Sequence, residues 1–173
     1  MMKNFSADYG KNQVLVAVVP QSKYVETINY IMVSVVKSGR LCYVTLNKPY
    51  AIMEKEFKEF QIDTKDVEFI DCVSGSAADK QGKAVFVSSP RALTELSITI
   101  SGMLAKNINS MLFDSLSTLL IYHEQGMAIK FVHSMISKVR ATEKKCVFLL
   151  LEEDAKSEMM KDVTMFADKV VYL

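Results

Sequence analysis

Short apolar runs of strand length alternate along this chain with segments that have helical periodicity. The first run, Val14–Val19, is apolar at every position, which is typical of a strand buried on both faces of a sheet. The segment after it places its apolar residues on one helical face and ends at Gly39. This alternation continues to the last run, residues 169–173. It predicts an α/β fold with three layers, in which a doubly wound, mostly parallel sheet of about six or seven strands has helices on both faces.

The length of the chain, 173 residues, fits one domain, and no linker or low-complexity segment divides it. We therefore predict a single domain over residues 1–173. Residues 74–83 are the most polar stretch and contain two glycines, so we expect a mobile surface loop there. The further predicted strands are 41–46, 67–71, a minor edge strand at 84–87, 109–114 and 146–151.

Charge and cysteine usage exclude several classes of function. The formal net charge is +1, from 21 basic and 20 acidic residues, so no strong overall field attracts nucleic acid or an anionic membrane. Cys42, Cys72 and Cys146 adjoin apolar runs without metal-ligand spacing, which indicates reduced core residues. No stretch approaches the roughly 20 apolar residues that cross a bilayer, and residues 1–11 lack the apolar centre of a signal peptide. We predict a cytoplasmic protein without a metal site.

The junction between the first strand and the following helix lacks a phosphate-binding loop. In nucleotide-binding α/β proteins this junction is a glycine-rich turn that ends in Gly-Lys-Ser/Thr. Here it reads Pro20-Gln21-Ser22-Lys23-Tyr24, with no glycine. We expect Pro20 and Gln21 to form a turn and Ser22 to begin and cap the helix. Such a helix N-terminus attracts an anion but cannot enclose a triphosphate, because backbone amides wrap a phosphate only in conformations that side chains resist.

From about residue 12 to residue 173 the chain resembles the KaiC-like branch of the RecA-type ATPase superfamily, with an archaeal character. The resemblance rests on the order and spacing of four stretches rather than on any one of them. These stretches are Leu-Cys-Tyr-Val-Thr-Leu at 41–46, Val-Glu-Phe-Ile-Asp at 67–71, Met-Leu-Phe-Asp-Ser-Leu-Ser-Thr-Leu at 111–119 and Ala-Asp-Lys-Val-Val-Tyr-Leu at 167–173. The resemblance implies a sheet with the order third strand, second strand, Asp114 strand, Cys146 strand, first strand and last strand.

Carried over one by one, the family's functional positions are mostly altered. The resemblance aligns Ser22, Lys23 and Tyr24 with the family's Gly-Lys-Thr/Ser, so the lysine remains while the glycine and the magnesium-binding hydroxyl are lost. A glutamate pair that activates the attacking water aligns with Asn47 and Lys48, which cannot act as a general base at neutral pH. Asp114 stands at the Walker B position, where it would hold the metal's water shell. An alternative interpretation is that Asp114 caps the helix that begins at Ser115.

The resemblance and these losses together predict a non-hydrolysing pseudo-ATPase that acts as a regulatory or protein-interaction module, without catalytic residues or a cofactor. Ser22, Lys23 and Asp114 would be vestigial nucleotide-binding residues. The expected partner is another protein, with a homo-oligomer also possible. One alternative is a nucleotide sensor that retains weak ATP affinity through Lys23 and Asp114. A second is an enzyme of another class in which Asn47, Lys48 and Asp114 converge at the carboxyl edge of the sheet.

Overall fold

The structure is a computed structural model that describes residues 5–75 and 84–173. Seven α-helices and seven strands lie in these two ranges. The strands are β1 Val14–Val19, β2 Leu41–Thr45, β3 Val67–Asp71, β4 Ala84–Phe86, β5 Ser110–Asp114, β6 Lys145–Leu151 and β7 Lys169–Tyr172. The helices are α1 Phe5–Lys11, α2 Tyr24–Val36, α3 Tyr50–Glu59, α4 Leu93–Leu104, α5 Leu116–Tyr122, α6 Gln125–Ala141 and α7 Glu158–Phe166. Among the described residues, no helix combines the length and the hydropathy that a membrane span requires.

The seven strands form one sheet in the order β4-β3-β2-β5-β6-β1-β7, and every described strand pair is parallel. This confirms the α/β fold class and the predicted order of the six main strands, with the short strand β4 added at the β3 edge. The strand order changes direction between β2 and β1, across β5 and β6. Open parallel sheets place their sites at the carboxyl ends of the strands near such a switch point.

Two separate apolar cores explain why the central strands are apolar at every position. In β1, Val14, Val16 and Val18 belong to the core that α4 to α7 cover. The alternate residues Leu15 and Ala17 belong to the core that α1 to α3 cover. Successive strand residues point to opposite faces, so a strand between two helical layers has no solvent face for polar side chains. The protein therefore has the three layers that the sequence predicts.

The segment at the start of α2 differs from the sequence-based expectation. Gln21–Lys23 forms a short 3₁₀ turn, and the α-helix begins only at Tyr24. The N-cap residue is Lys23, which makes no side-chain cap hydrogen bond, so the prediction that Ser22 begins and caps the helix is wrong. The expected loop at residues 74–83 falls largely outside the described residues. In its described part, the Ser74 hydroxyl donates a hydrogen bond to Asp71.

The helix α2 ends where the sequence predicts. Its last residue is Val36, and Gly39 follows with a φ of 122°. A Cβ atom at Gly39 would lie 2.3 Å from Asn109 Oδ1. That oxygen accepts a hydrogen bond from the Arg40 backbone amide at 2.8 Å. Glycine is thus required both by the backbone conformation and by the approach of Asn109.

Asp168 links three elements at the amino end of the sheet. Its Oδ2 accepts hydrogen bonds from the backbone amides of Val14 at 2.8 Å and Gln13 at 3.0 Å, and its Oδ1 accepts one from Arg140 at 2.8 Å. Partial burial alone would raise the pKa of Asp168, but the hydrogen bonds from Arg140, Val14 and Gln13 hold this pKa below its usual value. The ionised carboxylate is therefore the form that the fold stabilises.

We expect Asp168→Asn to reduce the free energy of unfolding by about 1 kcal/mol at pH 7, because the carboxylate is partly exposed and screened. A carboxyl whose pKa is lowered by folding stabilises the folded protein. This stabilisation is complete at pH values above the pKa of the unfolded state, near 3.9, and it is lost as the pH falls through the pKa of the folded state. Urea denaturation of parent and variant should therefore differ at pH 7 and converge towards pH 3. Glu153→Gln, at an exposed acidic residue, is the control. An Asp168→Asn cost that stays the same at both pH values would contradict this assignment.

Candidate functional site

Asp114 is the last residue of β5 and lies at the carboxyl edge of the sheet, between β2 and β6. Its exposed fraction is 1%. In the parallel register, Asp114 aligns with Thr45, the last residue of β2, and Thr45 aligns with Asp71 at the end of β3. The peptide bond between Asp114 and Ser115 is cis. The fold thus places a buried carboxylate where a parallel sheet normally carries its functional residues.

Three neutral donors bind the Asp114 carboxylate. The Tyr43 hydroxyl donates to Oδ2 at 2.6 Å. The Tyr24 hydroxyl and the Asn47 side-chain amide both donate to Oδ1. The same Asn47 amide lies 2.9 Å from the Tyr24 hydroxyl oxygen. A carboxylate has about four lone-pair positions for hydrogen bonds, so these contacts occupy most of its acceptor capacity.

A second layer of contacts orients Asn47. The Thr118 hydroxyl on α5 donates to the Asn47 carbonyl oxygen. The Ser115 hydroxyl lies 3.0 Å from the Thr118 hydroxyl and accepts a hydrogen bond from the Thr118 backbone amide at 3.2 Å. We call Tyr24, Tyr43, Asn47, Asp114 and Thr118 the Asp114 cluster. Its side-chain hydrogen bonds connect α2, β2, β5 and α5.

Burial controls the electrostatics of the Asp114 cluster. Burial raises the pKa of Asp114, and the hydrogen bonds from Tyr24, Tyr43 and Asn47 oppose that rise. Burial, together with the nearby Asp114 charge, raises the pKa values of Tyr24 and Tyr43 well above the usual value. Both phenols are therefore protonated donors at neutral pH, which matches the direction of their hydrogen bonds. A phenol in this state is not available as a general base.

The cap interpretation of Asp114 is wrong. The N-cap of α5 is Ser115, whose side chain accepts a hydrogen bond from the Thr118 backbone amide. The Asp114 side chain points instead into the core on the α1–α3 side, where Tyr43 also lies, because Leu112 and Tyr43 share that core and Asp114 is two residues after Leu112 in the same strand. Tertiary contacts rather than local capping hold the carboxylate.

The other predicted site residues differ in whether they contact Asp114. Asn47 contacts Asp114 directly, as the convergence hypothesis predicts. Lys48 instead forms an ion pair with Glu56 on α3 at 2.6 Å, although its charge contributes to lowering the Asp114 pKa. Ser22 and Lys23 are exposed on the 3₁₀ turn. Among the described residues, no hydrogen bond or ion pair joins either of them to Asp114.

The space beside Asp114 does not fit a nucleotide. A cavity of about 10 Å³ borders Tyr24, Asn47 and Asp114, whereas small-molecule sites measure about 300–1,000 Å³. A surface groove of about 730 Å³ runs along α3 and borders none of the predicted site residues. In residues 5–75 and 84–173, no three His, Cys, Asp or Glu side chains are placed to share a metal ion. The space that borders Asp114 in this conformation is thus far smaller than a nucleotide.

A second buried carboxylate, Asp71, organises the same edge of the sheet. Its exposed fraction is 0%. It accepts hydrogen bonds from the backbone amides of Tyr50 and Val73 at 2.8 Å and from that of Ser74 at 2.9 Å, and also from the Ser74 hydroxyl at 2.6 Å. The carboxylate therefore accepts hydrogen bonds from the first turn of α3 and from the residues that follow β3. This is a structural role.

Comparisons with known proteins show the family and the fold of this chain. A family of unknown function, DUF7504, matches residues 36–173. The chain belongs to DUF7504. The matched part of this DUF7504 chain contains Tyr43, Asn47 and Asp114 but not Tyr24. Among curated proteins, no significant match was found.

Among solved structures, this DUF7504 chain is similar to a KaiC-like protein from the hyperthermophilic archaeon Pyrococcus horikoshii OT3. The TM-score is 0.68 at 12% sequence identity, and the alignment covers 93% of this chain and 70% of the other. An identity this low shows the fold alone. The KaiC-like fold is thus confirmed, whereas the archaeal character and the degenerate nucleotide site remain predictions from sequence.

Tyr24 and Tyr43 are the residues that sequence reasoning missed. Tyr43 lies within a strand of otherwise apolar character, and its pairing with Leu112 puts it diagonally beside Asp114 on one face of the sheet. A tyrosine inside a buried strand needs a partner for its hydroxyl, and that requirement was a usable signal. The identity of the partner depends on strand register.

Proposed function

We propose that this protein is a non-hydrolysing pseudo-ATPase whose nucleotide site is closed by its own side chains, and that it acts as a regulatory or protein-interaction module. The observation that carries the proposal is the Asp114 cluster. In the KaiC-like family that the chain resembles, the position of Tyr24 carries the hydroxyl residue that binds magnesium. Here the Tyr24 phenol donates a hydrogen bond directly to Asp114, which stands at the Walker B position. The side chain of Tyr24 therefore occupies the acceptor that a metal's water shell would use.

Two further features support the absence of hydrolysis. The turn at Pro20–Tyr24 contains no glycine, so it cannot wrap a triphosphate with backbone amides. The Asn47 side chain, which stands at one of the family's glutamate positions, is an amide whose two ends are bound to Asp114 and Thr118. An amide held in this way cannot accept a proton from water.

A partner-binding role is supported by an exposed apolar groove. Ile98 on α4 and Met127 on α6 line a groove of about 580 Å³, with exposed fractions of 68% and 55%. Two large apolar side chains in one concave surface are a feature of protein contact sites. The corresponding experiment compares the parent with Ile98→Glu in binding to a purified candidate partner and in self-association by analytical ultracentrifugation. Thr164→Glu, at an exposed position on α7, is the control.

The expected result for nucleotide is no interaction. Thermal melting of the parent and of Lys23→Ala, each with and without millimolar ATP and magnesium, should give four curves that agree within a degree or two. The exposed Lys23 side chain contributes about 0.5 kcal/mol or less to stability, and a ligand that does not bind shifts nothing. No magnesium-dependent phosphate release should accompany these samples.

The nucleotide-sensor alternative predicts a different pattern. It is favoured by one observation, the exposure of Lys23 at the amino end of α2. An upward shift of the melting temperature with ATP and magnesium in the parent, absent in Lys23→Ala, would replace our proposal with the sensor. Phosphate release that disappears in Asp114→Ala would instead identify an active ATPase.

A further inference from the structure

The groove that Ile98 and Met127 line has walls in a fixed position. These walls are α4 and α6. The Lys138 ammonium on α6 donates hydrogen bonds to the Ser97 carbonyl oxygen at 3.2 Å, to the Ser97 hydroxyl at 2.7 Å and to the Ser101 hydroxyl at 2.7 Å, all on α4. Three hydrogen bonds from one ammonium thus join the two helices. The groove is preformed, so little ordering of the chain opposes the binding of a partner there.

Two opposite charges, Arg91 and Glu95, line the same groove. The Arg91 guanidinium lies over the Tyr122 ring, 5.7 Å from its centroid. The Glu95 carboxylate accepts hydrogen bonds from the Ser88 backbone amide at 3.1 Å and from the Ser88 hydroxyl. These neutral contacts position both charged groups. In the described part of the chain, no ion pair involves either Arg91 or Glu95. The groove therefore presents a cation and an anion that the protein itself does not match with opposite charges.

The charges in the groove favour a partner that carries the same two charges. A nucleic acid or a uniformly acidic peptide would be attracted to Arg91 and repelled by Glu95, and a basic peptide would meet the reverse. In an isologous contact, a residue of one copy meets a second residue of the other copy, and this second residue meets the first in return. A two-fold axis that passes between Arg91 and Glu95 sets Arg91 of each copy against Glu95 of the other. One symmetric arrangement then matches both charges.

We propose that the groove between α4 and α6 binds a second copy of this chain through this two-fold contact. Each copy contributes Ile98 and Met127, so the contact removes exposed apolar side chains of both copies from water. Arg91 and Glu95 form two equivalent ion pairs, which fix the register and disfavour partners of a single charge sign. The inference rests on the proposed function, because it names the partner of the groove described there. A contact built on one groove is small, so we expect weak association.

Charge reversal provides the test. Arg91→Glu leaves two acidic groups in the groove and Glu95→Arg leaves two basic groups, so each variant repels a second copy of itself. In a mixture of the two variants, every acidic group faces a basic one. Sedimentation equilibrium at low salt, where charges are least screened, should show a dimer for the parent at about millimolar concentration. The dissociation constant should rise at least about tenfold in each variant alone, and association should return in the equimolar mixture as a mixed dimer.

Lys55→Glu is the matched control, because it reverses an exposed charge on α3 in the other helical layer, and it should associate like the parent. Should a reversal variant fail to fold, the parent and Ile98→Glu, which should not dimerise, decide. A parent that stays monomeric, a variant that associates as tightly as the parent, or a mixture without recovery overturns the proposal. A monomeric parent that binds another protein through Ile98 contradicts this inference and leaves the proposed function standing. An ATP response in a dimeric parent contradicts only the proposed function.

Discussion

Asp114→Ala is expected to lower the free energy of unfolding by about 3 kcal/mol. The substitution leaves the Tyr24 and Tyr43 hydroxyls and the Asn47 amide without their acceptor, and each buried unpaired donor costs about 1–3 kcal/mol. Removal of a desolvated carboxylate offsets part of that loss. For a chain of this length, the melting temperature should fall by about 6–12 °C. Urea denaturation and thermal melting both measure the change.

Two variants control this experiment. Asp66→Ala removes an exposed carboxylate and should change the free energy of unfolding by less than about 0.5 kcal/mol. Asp114→Asn keeps one oxygen as an acceptor, so its cost should lie between those of Asp114→Ala and the parent. A more stable Asp114→Ala protein would contradict our interpretation. Carboxylates kept for ligand binding often cost stability in the free protein, so that outcome would favour the nucleotide sensor.

Asp71→Ala is the second substitution with a large expected effect, again about 3 kcal/mol. Three backbone amides and one hydroxyl lose a charged acceptor at once, and hydrogen bonds to charged groups are worth about 1.5–3 kcal/mol each before compensation by water. The first turn of α3 and the chain after β3 should loosen together. Hydrogen exchange of the Tyr50, Val73 and Ser74 amides measures this locally, and urea denaturation measures it globally.

Asp71→Asn provides the matched comparison, since its single carbonyl oxygen can accept hydrogen bonds from some of these donors. It should lower the free energy of unfolding clearly less than Asp71→Ala does. Exchange of the β5 amides should stay protected in Asp71→Ala, because the β5 backbone pairs with β2 and β6 and makes no hydrogen bond to the Asp71 side chain. Equal loss of protection at Asp71 and at β5 would show that the two carboxylates stabilise one cooperative unit and would contradict their separate roles.

Stability and nucleotide experiments together separate the functional alternatives. A pseudo-ATPase with a self-closed site predicts a destabilised Asp114→Ala protein and no response to ATP. A nucleotide sensor predicts an ATP response that depends on Lys23, which requires the Tyr24 phenol to leave Asp114. An enzyme of another class predicts a reaction that depends on Asn47 and Asp114 and is insensitive to Lys23. The response to ATP separates the first two alternatives, and the third is separated from both by an activity that neither of them predicts.

Much of the architecture follows from local sequence patterns. The apolar runs 14–19, 41–46 and 146–151 predict strands buried on both faces, because a strand between two helical layers has no polar side. Gly39 ends α2 as predicted, since a positive φ favours glycine. The strand order agrees with the KaiC-like resemblance. The position of Asp114 at the carboxyl edge follows in turn from its place at the end of a core strand.

Helix boundaries and the first helix were harder to predict. The α2 start is displaced from Ser22 to Tyr24 by a 3₁₀ turn, and helix ends depend on backbone geometry that neighbouring elements impose. The seven-residue helix α1 gave no clear periodicity. It is held in place by Phe5 and Tyr9, which are buried against the rest of the protein, and by Lys145, whose ammonium binds the Tyr9 and Gly10 carbonyl oxygens. So short a helix owes its stability to packing rather than to propensity.

The Asp114 cluster illustrates the difference between local and tertiary information. From the sequence, Asp114 and Asn47 were expected to lie at the same edge of the sheet, and the glycine-rich turn was seen to be absent. It did not connect Tyr24 and Tyr43 to Asp114. Their contacts require the β2–β5 register, which brings Tyr43 diagonal to Asp114, and the packing of α2, which places Tyr24 over the carboxylate. Register and helix placement arise from the packing of the whole core, so Tyr43 and Tyr24, which lie 71 and 90 positions from Asp114 along the chain, meet it only in the folded protein.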